Sequence, residues 1–131
     1  AGVANLRDQL QKFGYTVVGV PCPPYNLHLD MVFNIVAPQV ALACLDELPY
    51  NFIQMLKRRN FEIIPVASED MYKHGCNVEC IGDGKVIAIE KNKHINDKMR
   101  ALGLEVIDVP FDQILHAGGG PHCLTQPIER P

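Results

Sequence analysis

Residues 52–66 read "FIQMLKRRNFEIIPV". Phe52, Ile53, Met55 and Leu56 recur at helical spacing, so the stretch opens as an amphipathic helix. Asn60 then supplies a residue that tolerates the left-handed backbone with which helices often end. Residues 61–66 continue as a short apolar run, which predicts a strand. Two other stretches follow the same plan: 6–20, "LRDQLQKFGYTVVGV", and 95–109, "INDKMRALGLEVIDV". In the first, Leu6, Leu10 and Phe13 share a face; the helices stop at Gly14 and Gly103, and strands are expected over 15–20 and 104–109. The stop residues lie 46 and 43 positions apart, a period in the range of repeat architectures.

Hairpins fill the intervals. Residues 29–45 hold two β-rich runs around Ala37-Pro38, and 77–90, "NVECIGDGKVIAIE", hold two strands around Gly82-Asp83-Gly84, residues suited to a tight turn. One further strand is expected near 122–128. The chain thus reads as a single α/β domain over 1–131, with two full ββαβ units plus pieces of others. Unpaired sheet edges and an unclosed repeat are costly. The chain is therefore expected to be part of a longer one, lacking an N-terminal half, or to self-associate.

Composition fits a globular protein: 47% hydrophobic and 21% charged residues in 131. A net charge of −3 argues against a nucleic-acid partner. The longest apolar run, 31–45, is broken by Asn34, Pro38 and Gln39 and is too short to span a bilayer, so no membrane partner is expected. Five cysteines are an odd number, and no charged-then-apolar leader opens the sequence; reduced thiols in the cytoplasm are the simplest reading. Cys76 and Cys80 with His74 could suggest zinc, but no C-x-x-C pair is present and the spacing fits no common finger. No metal and no cofactor is expected.

Loops hand over to strands at equivalent points of the repeat. His28 comes 14 residues after Gly14, Asn77 comes 17 after Asn60, and His122 and Cys123 come 19 and 20 after Gly103. A radial arrangement of repeats would bring "HLD" (28–30) beside "HC" (122–123), with His28 and Asp30 on one face of a strand. A cysteine is a strong nucleophile when a base serves it or its pKa falls. His28 can move protons near neutral pH, and Asp30 matches a planar cation in fork geometry. Gly118, Gly119 and Gly120 allow close backbone approach. Asn77 and Glu79, two apart, share a face and point to the same space. The plainer readings stay open: Cys123 as an inert packed thiol, Asn77 as a turn residue, and the whole chain as a non-catalytic binding or assembly module.

Three segments, "HLDMVFNIVAP" (28–38), "NVECIGDGKVIAIEKN" (77–92) and "GGGPHCLTQPIER" (118–130), together resemble the guanidino-group-modifying superfamily of arginine deiminases and amidinotransferases. The resemblance implies a five-fold α/β propeller of ββαβ modules, the pentein fold, of which this chain holds about half. It implies that Cys123 attacks a guanidinium carbon, that His28 protonates the leaving group and then activates the acceptor, and that Asp30 holds the guanidinium. Asp30, Asn77, Gly119 and Gly120 form the expected binding set for a small guanidino substrate. Further carboxylates of the family lie in the earlier half of the propeller, so the chain alone is expected to lack part of the pocket. Asp30 argues against the dimethylarginine-hydrolase branch. Hydrolysis of the arginine deiminase type is preferred, because it need only admit water; transfer of the amidino group to an amine is the alternative.

Overall fold

The computed structural model describes residues 1–128, so Glu129 and Arg130 of the last motif lie outside the described residues. The strands of the chain fall into two copies of one unit. In the first, β1 (Phe33–Ala37) and β2 (Val40–Ala43) pair antiparallel around Pro38 and Gln39, and α2 (Tyr50–Arg58) carries the chain back to β3 (Glu62–Pro65), parallel to β2. In the second, which follows the short helix α3 (Ser68–Met71), β4 (Glu79–Gly82) and β5 (Lys85–Ile89) form the hairpin, and α4 (Lys93–Ala101) leads to β6 (Glu105–Val109), parallel to β5. The result is two three-stranded sheets, ordered β1-β2-β3 and β4-β5-β6, a mixed α/β fold.

Local chemistry explains the turns. Asp83 and Gly84 both have positive φ, 49° and 73°, as a two-residue hairpin turn matching the strand twist requires. Gly14, Asn60 and Gly103, the expected helix stops, are all left-handed, with φ of 81°, 58° and 86°.

The units share one core. Leu42, Leu56, Met71, Val86, Ile95 and Met99 belong to a single buried cluster. Each large side chain so buried contributes about 1.5–3 kcal/mol. Phe33 meets Phe52 edge to face at 5.0 Å, fastening α2 to the first sheet. In the second unit Asn96 donates to the Ile89 carbonyl at 3.0 Å and to Asp108 at 2.8 Å, fastening α4 to β5 and β6. Asn34 of β1 donates to the carbonyls of Cys76 and Val78 at 3.0 and 2.7 Å, stitching the units together.

Two expected strands are absent. Residues 15–20 follow α1 (Gly2–Leu10) in irregular conformation, and α1 buries none of its residues. A strand needs a partner for its hydrogen bonds, and among the described residues none lies beside 15–20. Near the other end, His122–Leu124 is a 3-10 turn rather than a strand. The Thr125 hydroxyl donates to the Pro121 carbonyl at 3.0 Å, closing that turn on itself. No described helix is long and apolar enough to cross a membrane.

Candidate active site

His28 and Asp30 meet Cys123, though not by strand alternation. His28 is extended (φ −130°, ψ 141°) and leads directly into a 3-10 turn over Leu29–Met31. Val32, fully buried, anchors that turn: its carbonyl accepts from the Cys44 amide at 2.8 Å. The turn swings the Asp30 carboxylate towards the last loop. A ring nitrogen of His28, a carboxylate oxygen of Asp30 and Cys123 Sγ all lie within 4.8 Å of one another. Asp30 Oδ2 faces His122 Nδ1 at 2.8 Å and accepts from Cys123 Sγ at 3.4 Å. An ionised carboxylate only accepts, so the proton sits on Nδ1 of His122. Asp30 Oδ1 is buried and has no donor among the described residues.

The cysteine loop is built on glycine. Gly119 has φ 138°, and a Cβ there would stand 3.1 Å from Cys123 Cβ. A Cβ on Gly120 would stand 2.7 Å from Asn77 Oδ1. The loop therefore packs directly on Asn77, which has no exposed surface. Asn77 Oδ1 accepts from the Cys123 amide at 3.1 Å, and Nδ2 donates to Cys123 Sγ at 2.9 Å. Asn77, Gly119 and Gly120, expected to bind the substrate, contact Cys123 or one another. Burial pushes the Cys123 thiol up, Asn77 and the Gly120 amide pull it down, and the Asp30 carboxylate pushes it up again; the net direction is upward.

Two histidines join the site without a pattern to announce them. His122 is visible in sequence beside Cys123, but its pairing with Asp30 depends on the 3-10 turns. His74 has positive φ, 58°, and a buried Nδ1 without a partner among the described residues. Burial lowers its pKa, partly offset by the negative charge of Asp30. Glu79 is buried and lines a neighbouring groove of about 590 Å³ with Thr125, Gln126 and Pro127. Among the described residues, His28, Asp30 and Cys123 are the three donors close enough to hold a metal ion. Cys76 and Cys80 do not gather with His74: Cys76 is fully buried, and Cys80 Sγ donates to the Ile35 carbonyl at 3.3 Å. The same three atoms suit a nucleophile, a proton carrier and a cation anchor.

Similarity to known proteins agrees with this chemistry. A protein of Bacillus subtilis, YkgA, is 32% identical over 130 residues, 99% of this chain and 44% of its own length. An arginine deiminase of Staphylococcus aureus is 33% identical over 85 residues, 65% of this chain and 20% of its own. The chain thus spans less than half the length of these relatives. Apo ArgZ, a cyanobacterial arginine dihydrolase, superposes with a TM-score of 0.83 over 98% of this chain and 21% of its own at 20% identity, which shows a shared fold. The family model for eukaryotic N,N-dimethylarginine dimethylhydrolases matches residues 2–130. That match spans Asp30, so the carboxylate there does not set the chain apart from that branch, contrary to the expectation from sequence. The chain belongs to the N,N-dimethylarginine dimethylhydrolase family.

Proposed function

We propose that this chain carries the cysteine-bearing part of an enzyme that hydrolyses a C–N bond of arginine or a related guanidino compound. One observation carries the reading: Asp30 keeps one buried carboxylate oxygen, Oδ1, without a donor among the described residues, while its other oxygen accepts from Cys123 Sγ. An uncompensated buried acceptor is costly unless a ligand supplies its donor, and a guanidinium presents paired N–H groups that match a carboxylate. In this reading the two ββαβ units belong to a five-module propeller whose axis runs past Cys123.

The chemistry follows from the groups present. A guanidinium on Asp30 brings positive charge beside the thiol and favours its ionised form, offsetting the burial that holds it neutral. The thiolate attacks the guanidinium carbon and a C–S bond forms. The C–N bond to the leaving amine breaks as His28 delivers its proton. Water then adds to the amidino-thioether carbon while His28 takes up a proton, the C–S bond breaks, and a ureido product leaves with the thiolate restored. The arginine deiminase relative and the dimethylarginine hydrolase family both support hydrolysis over transfer.

The test is labelling with 2-chloroacetamidine, a guanidinium mimic, mapped by mass spectrometry with and without excess arginine. The expected result is rapid modification confined to Cys123 and slowed by arginine, and its loss in Cys123→Ser. Slow labelling spread over all five cysteines would overturn the proposal.

A further inference from the structure

Asn77 occupies an unusual place, fully buried yet in contact with the reacting sulfur. Its orientation is fixed by covalent chemistry. The Cys123 backbone N–H can only donate, so the atom facing it at 3.1 Å must be the amide oxygen. The other amide atom is then the nitrogen, which can only donate, and it faces Sγ at 2.9 Å. A neutral thiol is a weak acceptor, whereas a thiolate is a strong one. This contact favours the ionised sulfur, against burial and against Asp30 Oδ2, which accepts from the thiol at 3.4 Å. The amide is wedged in place on the far side by Gly120, where no Cβ fits, and its backbone is held by the Asn34 bonds to the carbonyls of Cys76 and Val78.

We propose that Asn77 is the positioning residue for Cys123: its amide oxygen sets the backbone of the cysteine turn while its amide nitrogen holds the sulfur and stabilises the thiolate. This rests on the reading of Cys123 as nucleophile. It removes Asn77 from the substrate-binding surface and gives "GGG" a second purpose, since Gly120 is required for contact with Asn77 as well as for ligand access.

The experiment is the pH dependence of iodoacetamide alkylation at Cys123, read peptide by peptide, in the 131-residue chain and in Asn77→Asp and Gly120→Ala. Asn77→Asp keeps the shape and the acceptor for the Cys123 amide but loses the donor to sulfur. Gly120→Ala adds no charge and displaces the amide from behind. Both are expected to raise the Cys123 titration midpoint by about one pH unit, a roughly tenfold slower reaction below the midpoint. Alkylation of Cys22 should be unchanged. An unaltered Cys123 midpoint in a variant that keeps its circular dichroism overturns the proposal. So does loss of fold in both variants, which would make Asn77 purely structural. Iodoacetamide recognises no amidinium, so this outcome is separate from the guanidino reading: unselective chloroacetamidine labelling with a raised midpoint leaves the Asn77 role standing, and selective labelling with an unmoved midpoint removes it alone.

Discussion

Leu6, Phe52 and Ile95 hold the same place in three copies of one pattern, yet they are 50%, 9% and 0% exposed. The helices that carry them are alike in length and end on the same left-handed backbone. What differs is the floor beneath them. α2 and α4 each lie in a unit whose hairpin offers a strand to pair with, so β3 and β6 form and the helix has a sheet to cover. Residues 15–20 pair with no strand among the described residues, and α1 buries none of its residues. An amphipathic helix gains most of its stability from the surface it packs on rather than from its own propensity. The pattern is therefore necessary and not sufficient.

Truncating the three equivalent residues measures how much each helix depends on what lies beneath it. Phe52→Ala and Ile95→Ala are each expected to cost about 3–5 kcal/mol of unfolding free energy, from lost burial and the cavity left behind. Leu6→Ala should stay within about 0.5 kcal/mol, as for other exposed positions. Urea unfolding curves give all three values, and a large loss for Leu6→Ala would mean that α1 packs on the rest of the chain in solution. A smaller effect is expected at the helix stops. Gly103 and Gly14 have nearly the same φ, 86° and 81°, with open space where a Cβ would go, so alanine meets only backbone strain at either. Gly103→Ala should cost about 1–2 kcal/mol. Gly14→Ala should leave global unfolding unchanged, because α1 can fray without disturbing the core.

The same contrast explains what could be read in advance. Hairpins at 33–43 and 79–89 and the three left-handed stops are set by short-range chemistry and are legible in sequence, and the repeat placed His28 and Asp30 near Cys123. Residues 15–20 read as a strand because the run "YTVVGV" has the right composition, whereas a strand is made by a neighbour that composition does not reveal. "HCLTQPI" failed for the opposite reason: a local alternative, the 3-10 turn closed by Thr125 onto Pro121, was available to the backbone. "HLD" hid a turn in the same way, and the site survived because a turn and a strand both bring residues 28 and 30 close together. Neither the pairing of His122 with Asp30 nor the grip of Asn77 on Cys123 has a sequence signature, since each joins side chains far apart in the chain.

A weaker effect separates the two regions by pH. His74 lies in the connection between β3 and β4, and burial lowers its pKa below the usual 6.5. Its buried Nδ1 has no acceptor among the described residues, so a proton there would be unsatisfied. Below pH 6.5 the unfolded chain takes up a proton at this position while the folded one resists it, so His74 withdraws stability as pH falls from 6.5 towards its folded value. Above that window both states are neutral and it contributes nothing. His74→Asn removes the titrating ring and keeps a residue that accepts positive φ. It should flatten the acid limb of stability between neutral pH and pH 5, about the window of an unperturbed histidine. Hydrogen exchange, corrected for its intrinsic pH dependence, should locate the change: in the wild-type chain, protection in β4 and β5 falls on acidification while α1, which holds no histidine, is unaffected. Equal acid loosening of α1 and of the second sheet would show that the two regions unfold as one, and that the difference in packing between them does not divide their stability.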